Sequence, residues 1–476
     1  MGDITRRGLL RHLRSAVGGA VLAGVGSAVL AGCSTSAGSR PAPASAAQPV
    51  VVTFFPWQGW PNFGGPNWAK FAATGLQQFE SGNPGIRVRL GETKPGPAPK
   101  YTAAILAGDG PDVFSDWAMA PYLEAGLVLN LAPYLQQDNV NLDIWSPGQM
   151  RAMRIGGGVW FVPDYVHVDA MVINLSLLDT LGIPYPQPDW THSQAQRLFE
   201  AASGVSGGQR RFGVHLDFPG SNLGTGDGDA DSYVLHRFGG ALMDASREKC
   251  LVGQSGAVEA LRWHMQLYWD GVAGGAYNLE TTPFMETGSN LLLQNLTTWS
   301  NKFKWTYFPV PVFPAGQFSF EATDFLAINA GTKHPEPAWT LLRWLAAEPE
   351  WSRYCMKILL RTPSLTSLWT EYAQVVESVA PPAKGKNIHW FTEAVAHWGI
   401  ADRMFKYAHA QAINAINSEL ALAFSRKQGV SESMRAAAAQ VNALESTSTT
   451  FQGAQRSAAR AFRSTGPAVA VVQPGL

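Results

Sequence analysis

The alternation of apolar and polar positions becomes readable as a fold at Val50. Val50-Val51-Val52-Thr53-Phe54-Phe55 is a β-branched and aromatic run that predicts a buried strand. A loop rich in Pro, Gly and Asn extends to Asn67. Trp68, Phe71, Ala72, Leu76 and Phe79 then recur at helical spacing, and Gly82 with Pro84 ends that helix. Ile86, Val88 and Leu90 alternate with Arg87 and Arg89, which predicts a second strand. A short helix over Tyr101 to Ala107 and a strand at Asp112-Val113-Phe114 follow. Strand alternating with helix predicts an α/β lobe with a mostly parallel sheet.

The same rhythm returns further along. Gly158 to Pro163 reads as a short strand or hairpin edge, Ala170 to Asn174 as a buried strand, Ser193 to Ala202 as a helix and Phe212 to Leu216 as a strand. Apolar stripes predict helices at Ala257–Trp269, Pro337–Ala347 and Ala401–Phe424, the last ending in a Lys-Gln-Gly turn at 427–429. Trp263, Trp269, Trp339 and Trp344 fall on these stripes and read as packing residues.

Residues 1–32 have a different texture. Arg6, Arg7, Arg11 and Arg14 precede an uncharged run from Ala16 to Gly32, too short and too rich in Gly for a spanning helix. A basic start, a short apolar run and a small-residue exit define an export signal. Thr5-Arg6-Arg7-Gly8-Leu9-Leu10 resembles a twin-arginine signal. Leu30-Ala31-Gly32-Cys33 resembles the lipobox of bacterial lipoproteins, which implies lipidation at Cys33. Ser34 to Gln48 is almost all Ser, Ala, Gly and Pro and reads as a flexible tether. The chain of 476 residues has 36 basic and 36 acidic side chains. Without residues 1–32 the balance is about −3, which disfavours a nucleic-acid partner. Three cysteines allow no disulfide scaffold, and Cys250 and Cys355 are expected to be free thiols in different lobes.

An ordered set of segments resembles the bacterial extracellular solute-binding proteins of the maltose-binding type. Phe79-Glu80 with Asn83-Pro84-Gly85-Ile86 is similar to the family's helix end and following strand. Gly108 to Val113, then Gly126-Leu127 with Leu131-Ala132-Pro133-Tyr134, match in order, as do Gly158 to Pro163 with Val172-Ile173-Asn174, and Ala327-Ile328-Asn329 with Pro337-Ala338-Trp339. The match covers most of residues 50–445. One departure is Ala322-Thr323-Asp324, where the family often has a Gly pair.

The resemblance implies an α/β, two-lobed periplasmic-binding-protein fold of type II, each lobe a mostly parallel sheet flanked by helices, the lobes joined by a multi-segment hinge. The expected organisation is a signal at 1–32, a tether at 33–48, one lobe from 49–163 and 314–361, the other from 164–313 and 362–460, and a tail at 461–476. Crossings are expected near Val162–Val166, Val310–Pro314 and Leu360–Ser364. It further implies a monomeric receptor that closes over a carbohydrate, held outside the membrane by its lipid and serving the permease subunits of an ABC importer. No cofactor and no catalytic residue are expected.

Sugar recognition needs aromatic faces for the C–H faces of the ring and short polar groups for its hydroxyls. Trp57 and Gln58 follow the first strand, and Asp116 and Trp117 follow the third, at strand ends where α/β ligands collect. Through the resemblance, Tyr165 and His167 fall at the first crossing, Tyr233 on the second lobe, Trp299 after an apolar strand at Leu291–Leu293, Thr323 and Asp324 before a late strand, and Trp390 and Trp398 before the long C-terminal helix. Asp227, Asp229 and Asp231 are spaced as in a calcium loop. Ser232 and Phe238 at its Gly and Glu positions favour a solvated acidic loop instead. Gly204 to Gly208 fits a nucleophile-elbow string, but a helix precedes it and a strand follows, so it reads as a loop. Two rival functions stay open: a receptor for a glycerol-phosphate ester or other charged solute, which would want cleft Arg or Lys, and an exported polysaccharide-acting enzyme, which would want two opposed carboxylates.

Overall fold

A computed structural model describes residues 48–56, 68–91, 98–116, 119–216, 232–401 and 409–447. All belong to one compact unit, Gln48–Leu476. The export signal, Cys33, Trp57, Gln58, Trp117, Asp227, Asp229, Asp231 and the tail lie outside the described residues. In chain order the strands are β1 (Val50–Phe55), β2 (Ile86–Leu90), β3 (Val113–Asp116), β4 (Arg154–Ile155), β5 (Gly158–Val159), β6 (Val162–Pro163), β7 (Tyr165–Asn174), β8 (Gly204–Ser206), β9 (Gln209–Arg211), β10 (Val214–His215), β11 (Phe284–Gly288), β12 (Trp305–Phe308), β13 (Ser319–Ala322), β14 (Phe325–Ile328), β15 (Thr362–Pro363) and β16 (Gly399–Ile400).

The first sheet has the order β2-β1-β3-β14-β6. β1 runs parallel to β2 and β3, in the register Val52↔Val88 and Phe54↔Val113, while β14 is antiparallel to β3 and β6. Helices Trp68–Gly82 and Pro335–Ala347 pack against it. Trp339 and Trp344 are buried, as their helical spacing predicts, and Trp344 meets Phe79 at 5.5 Å and Trp351 at 5.6 Å between ring centroids. Gly75 is required by this packing, because a Cβ there would come within 2.5 Å of the Trp351 ring.

The second sheet is built around β7, in the order β10-β11-β7-β13-β16, with β12 and β15 also paired to β7. Only β10–β11 and β13–β16 are parallel; β11, β12, β13 and β15 all run antiparallel to β7. The expectation of mostly parallel sheets therefore needs correction here. Composition identifies a strand, but its direction depends on the route by which the chain returns. At ten residues, β7 extends about 33 Å, long enough to take partners along both edges.

The chain passes between the sheets at Asp164, between β6 and β7; at Thr323–Asp324, between β13 and β14; and at Leu360–Arg361, before β15. The second differs from Val310–Pro314: Val312 still pairs with Thr191, and β13 still pairs with β7, before the chain leaves the second sheet. The largest apolar cluster runs through the junction, from Val52 and Phe54 by way of Val166, Val168 and Val172 to Tyr372 and Phe391. Helices Ser255–Trp269, His409–Phe424 and Val430–Thr447 enclose a second cluster. Gly204 to Gly208, expected as a loop, forms the β8–β9 hairpin. Gly207 and Gly208 supply its turn with φ of 58° and 78°.

Cys250 and Cys355 are free and buried, and belong to separate apolar clusters. Burial pushes the Cys250 thiol up to about 11 and the Cys355 thiol well above its ordinary value. Since the thiolate is the reactive species, neither should react with a thiol reagent in the native protein at pH 8. Both should react after denaturation, and rapid native labelling of either would contradict this packing.

Candidate functional site

β7 changes character halfway along one face. Val166, Val168, Ala170 and Val172 pack into the largest apolar cluster. The alternate positions are Tyr165, His167 and Asp169 over the first half, then the buried Met171 and Ile173. A strand presents i and i+2 on one face, so the polar trio stands together. His167 and Asp169 keep partial exposure. The His167 ring lies 4.9 Å from that of Phe320 on β13, and Phe320 lies 5.7 Å from Tyr233. Burial, with the nearby Arg361 charge, pushes the His167 imidazole down to about 4. It is therefore neutral near pH 7, with one ring nitrogen donating and the other accepting. Tyr233 is braced by Arg237, whose guanidinium lies 4.8 Å from its ring centre and pairs with the buried Glu286.

Tyr165, Thr323 and Asp324 are also brought together, but at the crossings. Asp164 Oδ1 accepts the Trp351 indole N–H at 3.0 Å, and its Oδ2 lies 3.6 Å from Arg361 Nη1. The Arg361 guanidinium stacks on the Tyr165 ring at 3.9 Å. The Tyr165 hydroxyl bonds the Asp324 carboxylate. The Thr323 hydroxyl donates to the Tyr165 carbonyl, the Asp164 N–H donates to the Asp324 carbonyl at 3.0 Å, and the Ser364 hydroxyl donates to the Asp164 carbonyl at 3.1 Å. All three passes of the chain are thus tied in one buried knot. One face of Tyr165 is covered by Arg361, so the residue is part of a joint more than a stacking surface.

On the first sheet, Asp116 ends β3 and accepts the Tyr122 hydroxyl at 2.8 Å. Trp390 and Trp398 stack on each other at 5.9 Å and 28°, both half-buried. Trp390 lies within helix His389–His397 and Trp398 caps its end, and the Trp398 carbonyl accepts the Ser319 N–H of β13. Trp299 is a correction. It is the last residue of helix Leu292–Trp299, not a residue following a strand, and is 3% exposed. Tyr277 stacks on it at 6.0 Å and Trp305 meets it edge-on at 5.6 Å, so its faces serve the core. Asp169, Phe320, Asp164 and Arg361 were missed. The alternation Tyr-Val-His-Val-Asp carried the signal for Asp169. Arg361 had no local signal, since its partners come from other segments.

Burial pushes the Asp164 carboxyl up to about 7, against the pull of Arg361 and the Trp351 N–H, and the Asp324 charge adds to the rise. The folded chain then holds this proton more tightly than the unfolded chain does. Its contribution to stability is complete below about pH 4 and is lost as pH rises through about 7. Asp164→Asn should therefore flatten the decline in unfolding free energy over that interval; an unaltered slope would contradict the assignment. Arg361→Leu removes the guanidinium from two buried carboxyl groups and should cost about 3 kcal/mol or more, seen as a lower urea midpoint.

Residues 65–350 match the family described as bacterial extracellular solute-binding protein. A maltotriose-binding protein of Pyrococcus abyssi is 22% identical over 272 residues, which span 54% of this chain and 56% of that relative. The chain thus matches little more than half the length of that relative. A cyclic alpha-maltosyl-1,6-maltose binding protein from Arthrobacter globiformis superposes with a TM-score of 0.67 at 18% identity, over 84% of this chain and 100% of the other. The sugar-binding protein MalE from Xanthomonas citri gives 0.64 at 18% identity, over 83% and 98%. These likenesses place the fold among the type II periplasmic binding proteins.

Proposed function

The chain belongs to the bacterial extracellular solute-binding proteins, and from that membership we propose that it is the receptor of an ABC importer that captures a carbohydrate, an oligosaccharide above all, between its two lobes. The observation that carries this reading is the polar half of β7, set between the crossings and an aromatic group. His167 offers one donor and one acceptor, and Asp169 accepts hydroxyl protons. Phe320, Tyr233 and the Trp390–Trp398 stack offer ring faces within the same lobe. Asp116, at the end of β3 on the first sheet, is the described candidate for a contact from the other lobe; Trp57, Gln58 and Trp117 stay candidates from the sequence alone. A ligand touching both lobes favours the closed form by its differential contacts alone. Neutral sugar is preferred over a phosphate ester because Arg237 and Arg361 are committed to buried partners. Binding without turnover is preferred over hydrolysis because the matched family and the structural neighbours are binding proteins.

A thermal-shift and calorimetric screen against mono- and oligosaccharides tests this. A bound sugar should raise the midpoint and be recovered unchanged. His167→Ala and Asp169→Asn should each weaken binding about tenfold, the equivalent of one ligand hydrogen bond. Trp299→Phe should lower the midpoint and leave affinity within about twofold, since the core term acts on folding. Stabilisation by a glycerol-phosphate ester alone, or consumption of the sugar, would overturn the reading.

The same proposal places the protein outside the cell membrane, delivered by the export signal, with Cys33 lipidated and residues 34–48 as the tether to a monomeric body. Among the described residues no helix is long and apolar enough to cross a membrane. Labelled palmitate should enter the native chain and not the Cys33→Ala chain, which should appear in the soluble fraction; label retained without Cys33 would refute the anchor.

A further inference from the structure

The seven-residue helix Pro147–Met153 is tied to the first lobe at both flanks, although Trp145 also bridges Leu365 just past β15. Before it, the Trp145 indole donates to the Ala346 carbonyl at 3.0 Å. After it, the chain runs through the β4–β5 hairpin into β6. Yet both of its ends are gripped by ionisable residues from the other lobe. At its N-terminus, Ser146 donates to Glu321 of β13, and the Gln149 N–H also bonds that carboxyl. At its C-terminus, Arg247 Nη2 donates to the carbonyls of Arg151 at 2.7 Å and Arg154 at 3.3 Å.

The two side chains arrive from separate parts of the second lobe. Glu321 pairs with Val168 of β7. Arg247 sits in the turn closed by the Met243–Cys250 bridge, and the Cys250 N–H is held by Asn442 of the C-terminal helix at 2.7 Å. Arg247 at the carboxyl end complements the helix dipole; burial pushes the Glu321 carboxyl up to about 7, so at the amino end it grips chiefly through its hydrogen bonds to Ser146 and Gln149. The fit is close: a Cβ on Gly148 or on Gly399 would come within 2.4 Å of Glu321 Oε2. Glu321 and Arg247 are 2% and 6% exposed, so neither is a casual surface contact.

We propose that this helix is a strut that sets the angle between the lobes, with Glu321 and Arg247 as the positioning residues that clamp it. The crossings at Asp164, Thr323–Asp324 and Leu360–Arg361 define where the chain pivots. Glu321 lies two residues before the Thr323–Asp324 crossing, while Arg247 comes from a turn that holds no crossing; attachment at both points, and not at the pivot alone, fixes an angle. Releasing the clamp should therefore let the lobes rotate without unfolding either.

Spin labels at Ser81→Cys on the first lobe and Glu200→Cys on the second, both exposed positions, report the angle in the sugar-free protein. Cys250 and Cys355 are buried and stay unlabelled, and the test uses a chain carrying Cys33→Ala. Arg247→Asn combined with Glu321→Leu should shift and widen the interlobe distance distribution. Glu321→Gln, which keeps an acceptor for Ser146, should retain the native one. A second pair within one lobe, Glu200→Cys with Lys427→Cys, should not change in any variant. Arg247 has φ of 61°, a conformation Asn adopts readily, so Arg247→Asn carries the test alone if the Glu321 variant does not fold. An interlobe distribution unchanged in Arg247→Asn, or an equal change within the lobe, would overturn the proposal. Since no sugar is used, that outcome leaves the sugar reading standing.

Discussion

The Asp164–Arg361 pair lies where the passes of the chain between the sheets converge, and a carboxyl and a guanidinium removed from water tolerate few arrangements. Asp164 is 3% exposed and Arg361 5% exposed. Each must meet compensating groups or incur a desolvation cost of several kcal/mol. Trp351 supplies one such group to Asp164, and the Tyr165 ring supplies a face to Arg361. The helix carrying Trp351, the start of β7 and the start of β15 are thereby fixed to one another. Apolar contacts alone permit sliding. A directional hydrogen bond to a buried carboxyl does not.

From that junction the rest of the site follows by strand geometry. β7 leaves the knot with Tyr165 facing Arg361, so His167 and Asp169 must point the same way. The intervening valines must point into the core. β13 enters the same junction from the opposite direction, which brings Phe320 against His167 and sends Glu321 toward the helix Pro147–Met153. Adjacent residues of one short strand thus serve the candidate site and the clamp on opposite faces. Any change that shifts the register of β13 by one residue would exchange those roles.

The tryptophans divide by what surrounds them. Trp344 and Trp351 make the contact between two helices over the first sheet, while Trp299 and Trp305 join Tyr277 and Tyr307 in an aromatic group beside β7. Trp390 and Trp398 remain half-buried. Helical spacing separated Trp339 and Trp344 as core residues correctly. It did not do so for Trp299, because Leu291-Leu292-Leu293 reads equally well as a strand or as the start of a helix. Only the helix places the Trp299 ring inward. Short apolar runs lack the length that separates the two periods.

The strands at Val50–Phe55, Ile86–Leu90 and Val113–Phe114, the second half of β7 and the helices carrying Trp263, Trp339 and Trp344 were legible in the sequence, because each rests on neighbouring residues; the candidacy of His167 and the separation of the cysteines came through the family resemblance. Val, Ile and Phe runs favour pleated backbone wherever they fall, and alternation along β7 sorts its side chains into two faces by itself. What only the tertiary structure decided was the direction of the strands beside β7, the crossing at Thr323–Asp324, and the partners of Asp164, Glu321, Arg247 and Arg361. Those depend on groups from distant segments meeting out of water, where the value of a charge is set by what lies across from it. No local pattern encodes that meeting; it exists only once the chain has folded.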